Sequence, residues 1–292
     1  MTNDSKISAL IQLLDDPDDF IFNEVKTQLL TYGDAVIPLL EDYWEQNPLE
    51  AEALSRIEDI IQEIQHGGVK SALKEWSSQI DPDLLEGVLL INQFQYPDLD
   101  VQIIKDKIEQ IRRDVWIELH NGLTSFEKVN VINQVIFDIH GFGGNKQNYH
   151  SPTNSYLSDV IESKKGNPIS LSVIYLLVAQ DLGLPIYGVN LPSHFVLCFL
   201  DENNINPSVD ENKQDEVLMY INPFSRGTIF NRKEIERFLN QLNIPIKEDY
   251  FVPCTNKDII KRVINNLIYS FQKQGNTEKV DQLISLKEVL NS

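Results

Sequence analysis

The chain has 292 residues, of which 42% are hydrophobic and 24% charged, and its formal net charge is −19. This length and composition are typical of a globular protein with one large domain or two to three smaller ones. The acidity argues against a nucleic-acid partner, because phosphate binding depends on Lys and Arg, and equally against an anionic membrane surface.

The cysteines and the first residues bear on the compartment. The two cysteines, Cys198 and Cys254, are too few for a disulfide framework or a zinc cluster. The first six residues lack a signal-peptide pattern, and the sequence contains no apolar run of about 18 residues. We therefore expect a cytoplasmic protein with no metal, no cofactor, no nucleic-acid partner and no membrane partner.

The first 80 residues predict paired helices. Apolar residues recur at helical spacing in 7–14, 20–32 and 35–44, and an Asp-Pro corner and Gly33 separate these stretches. The order is similar to a HEAT-type repeat, in which helix pairs must stack to bury their apolar stripes. A segment this short is expected to cover a neighbouring domain.

Helical periodicity continues further along the chain, with helices predicted at 51–65, 68–78, 83–93, 99–120 and 129–139. The fourth of these carries basic residues among acids, and we interpret it as a solvated helix face, not a basic binding stripe. A connector rich in Gly, Asn and Pro follows and ends near Asn154.

The stretch 167–182 predicts the centre of the fold. It is apolar almost all round, which is typical of a helix buried inside a core. Asn167 suits the N-cap, and Pro168 suits the first helical position, where no backbone N–H is needed. Ser170 follows in the first turn, where free amides and the helix dipole favour an anion or a nucleophile.

The rest of the chain predicts short strands and then helices. The segment 201–215 is dense in Asp, Asn and Glu and predicts an exposed loop, and its spacing fits no calcium-binding loop. The last two helices form a hairpin like one tetratricopeptide-type unit, which we expect to cover the core. Strands are predicted at 186–190, 194–200 and 217–221, and helices at 232–242, 258–274 and 278–290.

Motifs between residues 144 and 224 resemble the SirB-type branch of the transglutaminase-like superfamily. The resemblance implies an α+β, mostly helical chain, in which a papain-like or transglutaminase-like core (81–230) has a central buried helix on a small antiparallel sheet. A HEAT-like region (1–80) and a tetratricopeptide-like region (231–292) would flank it. The motifs are Gly144-Asn145, Tyr149, Asn154-Ser-Tyr-Leu157, Gly166-Asn-Pro-Ile-Ser-Leu171, Leu182-Gly-Leu-Pro185, Gly188-Val189, Pro192-Ser-His-Phe195 and Asn222-Pro-Phe224.

The same resemblance implies where a site would lie. In active members of the superfamily, a Cys at the start of the central helix attacks a carbonyl, a strand His takes its proton, and Asp or Asn orients the His. His194 matches the family His, and Asn222 stands where the branch commonly has Asp. The Cys position falls on Pro168, which has no nucleophile.

Other groups could replace the missing thiol. Ser170 could in principle attack a carbonyl with His194, but two residues rotate a side chain by about 200° around a helix. Cys198 faces the same side of its strand as His194, about 13 Å away, and is interpreted as a core residue. For Cys254, burial or inert exposure is favoured over nucleophilicity. Asn145 or Asn154 could contact an oxyanion, although Asn in such segments usually closes turns.

Two functions from different classes stay open. The favoured one is a non-catalytic transglutaminase-like domain that binds a protein or peptide partner. The alternative is a hydrolase or acyltransferase that uses Ser170 or a displaced thiol. A regulatory role in a two-component or stress pathway rests on family association alone. The catalytic candidates are His194, Asn222 and Ser170, and the cleft candidates are Asn154, Asn167, Pro168 and Ser193.

Overall fold

The computed structural model describes residues 3–16, 18–46, 51–201 and 217–291, so most of the predicted acidic loop lies outside the described residues. The helices are α1 (Asn3–Ile11), α2 (Asp19–Leu30), α3 (Ile37–Gln46), α4 (Ala51–Ser78), α5 (Leu84–Gln95), α6 (Val101–Glu118), α7 (Ser125–Asn133), α8 (Leu157–Ser163), α9 (Pro168–Asp181), α10 (Arg232–Gln241), α11 (Asn256–Gln274) and α12 (Thr277–Val289). The strands are β1 (Gly143–Gly144), β2 (Lys165–Gly166), β3 (Ile186–Leu191), β4 (His194–Leu200), β5 (Val217–Asn222) and β6 (Thr228–Phe230).

The longer strands form a four-stranded antiparallel sheet in the order β3-β4-β5-β6. Leu191 pairs with His194 across a two-residue turn, in which Ser193 has a φ of +59°. The short strands β1 and β2 pair in parallel, with Gly144 opposite Gly166. This ladder attaches the Gly-rich connector to the two residues that precede Asn167, the N-cap of α9.

Helix α9 forms the centre of the main core, and its residues from Pro168 to Ala179 are buried. One face of the sheet packs on α9, with Phe195 and Leu197 among its contacts, and the other face packs on α10. The structure therefore confirms the predicted fold class, a mostly helical α+β chain with a central buried helix on a small antiparallel sheet.

Helices α1 to α4 enclose a second apolar core, and α4 reaches from this core into the main one. The prediction of two helices at 51–65 and 68–78 was wrong, because α4 is one continuous helix of 28 residues. Gly67 and Gly68 lie inside it, at a cost of about 1 kcal/mol each relative to alanine. Packing offsets this cost, since Ile60 lies in the second core and Trp76 in the main core.

Helices α11 and α12 share the main core with α5 and α9, through residues such as Ile264 and Leu283. The assignment of the flanking helices to HEAT-like and tetratricopeptide-like repeats, and the boundaries near residues 80 and 230, stay predictions. Among the described residues, no helix combines the length and the apolar character that crossing a membrane requires.

Candidate functional site

The start of α9 is closed by a reciprocal pair of hydrogen bonds. Asn167 Oδ1 accepts from the Ser170 backbone N–H at 2.9 Å, and Ser170 Oγ accepts from the Asn167 N–H at 3.0 Å. Asn167 Nδ2 also donates to Ser155 Oγ at 2.8 Å. Because Pro168 has no N–H, these bonds satisfy much of the first turn. Ser170, only 3% exposed, therefore acts as part of a capping box.

His194 and Ser193 lie between two cavities. The first, which we call the helix-start cavity, has a volume of about 430 Å³ and is lined by Tyr149, His150, Asn167, Pro168, Ile169, Ser193, His194, Phe195, Arg262, Asn266, Tyr269 and Ser270. The second, the sheet-face groove, has a volume of about 600 Å³ and is lined by Leu191, Ser193, His194, Val196, Asn222, Ser225, Thr228, Phe230, Glu234, Ile235, Phe238 and Leu242.

His194 is a half-buried imidazole whose neutral form is favoured. Burial is the largest effect and lowers its pKa, and the positive charge of Arg262 lowers it further. A hydrogen bond to the Asn222 side chain opposes both effects by favouring the charged form. The ring of Phe238 lies 6.1 Å from the imidazole, between centroids, on the groove side. The structure thus brings His194 and Asn222 together.

Asn222 is positioned by a tight turn at the end of β5. Its backbone carbonyl accepts from the Gly227 N–H at 2.9 Å, and its side chain accepts from the Ser225 N–H at 3.4 Å. Gly227 has a φ of +72°, and a Cβ there would lie 1.8 Å from Asn133 Oδ1. Only glycine fits this turn, because a side chain would be both strained and blocked.

Asn154 does not line either cavity and instead closes the Gly-rich connector. Its Oδ1 accepts from Asn145 Nδ2 at 2.9 Å, and its Nδ2 donates to the carbonyl oxygens of Asn148 and Tyr149. Its backbone carbonyl accepts from the Asn167 N–H at 3.3 Å. Asn154 therefore supports the wall of the helix-start cavity from behind. Asn167, Pro168 and Ser193, the other cleft candidates, do line that cavity.

Neither cysteine lines either cavity. Cys198 is buried in the sheet face that packs on α10, and burial raises the pKa of its thiol to about 12. Burial likewise raises the pKa of the Cys254 thiol to about 12, and the Cys254 N–H donates to the Gly188 carbonyl oxygen. Both thiols are thus protonated near neutral pH, so neither supplies the thiolate that a nucleophile requires.

The contribution of α11 to the helix-start cavity was not predicted from the sequence. Arg262, Asn266 and Tyr269 come from one face of this helix, and His150 comes from the connector. The spacing of Arg262, Asn266 and Tyr269 is the i, i+4, i+7 signal of a shared helix face. Within the sequence alone, nothing indicated that this face meets the start of α9.

The region that matches a known family contains most of the site residues. A family model described as the transglutaminase-like superfamily matches residues 102–265, which include α9, the sheet and Arg262. The chain belongs to the transglutaminase-like superfamily. This superfamily assignment, made from the motifs, is confirmed.

Relatives confirm the SirB-type branch. The chain is 30% identical over 205 residues to a UPF0162 protein of Xylella fastidiosa strain Temecula1, covering 68% of this chain and 67% of that protein. It is 22% identical over 198 residues to Protein SirB1 of Salmonella typhimurium, covering 67% of this chain and 69% of that protein. It is 29% identical over 226 residues to F-box only protein 21 of Mus musculus, covering 69% of this chain.

The coverage of these relatives is partial. The chain spans 34% of the mouse F-box only protein 21 and 63% of a UPF0162 protein from Xylella fastidiosa strain 9a5c. No solved structure matches the chain significantly. The family model shows the family of this chain. Because the coverage is partial, the activities and partners of the relatives are not carried over to this chain.

Protonation of half-buried histidines is expected to lower the stability of this superfamily member as the pH falls below 6.5. Burial lowers the pKa of His66, His140 and His194. As the pH falls below 6.5, these histidines take up protons in the unfolded chain before they do so in the folded chain. The free energy of unfolding that they contribute above pH 6.5 is therefore lost as the pH falls toward their folded-state pKa values. Urea unfolding at pH 7.5, 6.5 and 5.5 measures the effect.

A His194→Gln variant isolates one contribution to this slope. It leaves in place the carboxylates, including Asp159, whose pKa burial raises. We expect a shallower loss of the free energy of unfolding between pH 6.5 and 5.5 for this variant. An unchanged slope would show that His194 is not held neutral in the folded state.

Proposed function

We propose that this protein is a non-catalytic member of the superfamily that binds a protein or peptide partner in the cleft around His194. The observation that carries the proposal is the start of α9. Pro168, which the family resemblance aligns with the superfamily nucleophile, lines the helix-start cavity together with His194. A cleft that keeps the His and the Asn that orients it, but has proline at the attacking position, suits binding better than acyl transfer.

The two serine hydroxyls in the first turns of α9 support this proposal because they are engaged elsewhere. Ser170 Oγ accepts from the Asn167 N–H and lies 3.3 Å from the Asn167 carbonyl oxygen, to which it donates. Ser172 Oγ donates to the Pro168 carbonyl oxygen at 2.7 Å. Neither serine lines a cavity beside His194. To act as a nucleophile, Ser170 would have to leave the capping box and turn toward the cavity.

The surroundings of His194 support binding of a peptide. The sheet-face groove offers Val196, Ile235 and Phe238 as an apolar floor. On the other side of His194, Tyr149 and Tyr269 are 41% and 47% exposed at the helix-start cavity. Exposed aromatic residues beside an apolar groove are typical of interaction surfaces, where they dominate binding energy. The net charge of −19 supports partners other than nucleic acid or anionic membranes.

A binding selection and a labelling experiment test the proposal together. Peptides selected from a random peptide library against the full chain are expected to bind at least tenfold more weakly to Phe238→Asp, because the variant places a charge in the sheet-face groove. Phe126→Asp is the matched control, since Phe126 is exposed on α7 and lines neither cavity.

The alternative function predicts a different result. A hydrolase or acyltransferase based on Ser170 would be labelled by a fluorophosphonate probe, and both Ser170→Ala and His194→Ala would abolish the labelling. Labelling of that kind, or a library that yields no peptide sensitive to Phe238→Asp, would overturn the proposal.

A further inference from the structure

Arg262 reaches the helix-start cavity with much of its hydrogen-bonding capacity unused. Its Nη1 donates to Asn190 Oδ1 at 3.1 Å and to the Leu191 carbonyl oxygen at 3.2 Å, and both acceptors are neutral. Within residues 3–16, 18–46, 51–201 and 217–291, its Nε and Nη2 have no partner. These two nitrogens form the edge of a guanidinium that binds a carboxylate through two parallel hydrogen bonds.

The charge of Arg262 is also uncompensated by any described carboxylate. Burial is the largest effect on its pKa and lowers it. Within the described residues, no salt bridge joins Arg262 to an Asp or Glu. By contrast, Arg112 contacts Glu109 and Asp181, and Arg232 contacts Glu236 and Glu248. A half-buried guanidinium without an acid is unfavourable until a partner supplies one. In a chain with a net charge of −19, its isolation from acids needs an explanation.

The cavity around Arg262 is built to admit an anion on an apolar or aromatic body. Its lining residues in the described part of the chain include no Asp or Glu. Asn266 and Ser270 add polar groups, while aromatic rings stand in a row along it. The ring centroids of Tyr149 and His150 lie 5.2 Å apart, and those of His150 and Tyr269 lie 5.3 Å apart.

We propose that the helix-start cavity binds the C-terminal carboxylate of a peptide, with Arg262 as its cation. This inference rests on the proposed function and names the partner class for the same cleft. A chain terminus fits better than an internal acidic residue because Pro168, Ile169 and Phe195, all buried, close the cavity on the core side. An internal segment must both enter and leave, whereas a terminus ends there.

The direct test uses N-acetylphenylalanine and its C-terminal amide as probes of the full chain labelled with ¹⁵N. The Arg262 Nε–H signal, assigned by its loss in Arg262→Lys, is expected to shift saturably with the acid. The amide is expected to bind at least about tenfold more weakly, because it lacks the charge-assisted hydrogen bonds. Equal shifts with acid and amide, or no shift with either, would overturn the inference.

A second variant guards against loss of folding, since Arg262 also holds the β3–β4 turn. Asn266→Asp places a carboxylate one helical turn from Arg262 in the same cavity, where it should pair with the guanidinium. It leaves the hydrogen bonds from Arg262 to Asn190 and Leu191 in place. The affinity for N-acetylphenylalanine should fall at least about tenfold. Arg113→Gln, on the exposed face of α6, is the control and should bind the acid unchanged.

The two proposals fail in different ways. Peptides selected with a free C-terminus are compared with the same peptides amidated. Binding that is sensitive to Phe238→Asp but indifferent to amidation and to Asn266→Asp would leave the proposed function standing and overturn carboxylate recognition. A peptide that carries an internal Asp or Glu and binds equally well when amidated would assign the site to a side chain instead, which also overturns the inference.

Discussion

Replacing Pro168 with cysteine is expected to make the chain react with iodoacetamide at pH 7 at least about tenfold faster than the unmodified chain. The existing thiols are protonated, since burial raises the pKa of Cys198 and of Cys254 to about 12. A thiol at position 168 would line the helix-start cavity at the first position of α9, and Arg262 lines the same cavity. A helix N-terminus and a nearby cation both stabilise the thiolate.

The substitution should leave the fold intact. Proline at the first helical position contributes no backbone hydrogen bond, so its loss costs the helix little. The capping box between Asn167 and Ser170 does not involve the Pro168 side chain. The rate is measured by mass spectrometry of the alkylated chain, resolved by peptide, so that the reaction at position 168 is separated from that at Cys198 and Cys254.

Ser170→Cys is the matched control for this experiment. It places a thiol two residues further along the same helix, at a position that, unlike Pro168, does not line the cavity. We expect it to react no faster than the unmodified chain. If Pro168→Cys were as slow as Ser170→Cys, then Pro168 would not face the cleft, and the correspondence between Pro168 and the superfamily nucleophile would be wrong.

The parts of the site that could be predicted from sequence are those fixed by local chemistry. Helix α9 is predicted by its all-round apolar character and by the Asn167–Pro168 pair at its start. The bounds of β4, His194–Leu200, follow from an uninterrupted apolar run after a Pro-Ser turn. Such signals depend on neighbours in the chain, so a single sequence contains them.

The parts that could not be predicted depend on residues far apart in the chain. Arg262 and His194 line the same cavity only because α11 packs beside α9. Nothing in the sequence near residue 262 indicates that α11 packs there. Strand β6 has three residues and exists through its pairing with β5. Helix α4 continues through two glycines because both of its halves are buried in different cores, which outweighs the local penalty.

Ser170 illustrates a third case, in which the sequence allowed two roles for one residue. A serine in the first turn of a helix can present its hydroxyl to a ligand or return it to the backbone. The choice depends on the residue three positions earlier, because Asn167 can bond the Ser170 N–H while Ser170 bonds the Asn167 N–H. The structure has this reciprocal arrangement, and the sequence Asn167-Pro-Ile-Ser170 was its only signal.

Trp76→Ala is expected to lower the free energy of unfolding by about 3–5 kcal/mol, as large-to-small substitutions of buried aromatic residues do. Trp76 is 1% exposed, and its Nε1 donates to the Asp83 carbonyl oxygen at 2.7 Å. A Cβ at Gly87 would lie only 2.6 Å from the indole ring, which shows how closely α5 approaches it. The substitution therefore opens a cavity where α4 enters the main core and removes a partly buried hydrogen bond.

Trp116→Ala is the matched control, because Trp116 is 64% exposed on α6 and its loss should change stability by less than about 1 kcal/mol. Urea unfolding followed by circular dichroism measures both variants.

Because α4 carries residues of both cores, the shape of the Trp76→Ala transition has a further meaning. A single transition shifted to lower urea would mean that the two cores unfold together through α4. Two separated transitions would mean that the indole is what joins the N-terminal helices to the cleft-bearing core, and a shift no larger than that of Trp116→Ala would contradict the packing described for α4 and α5.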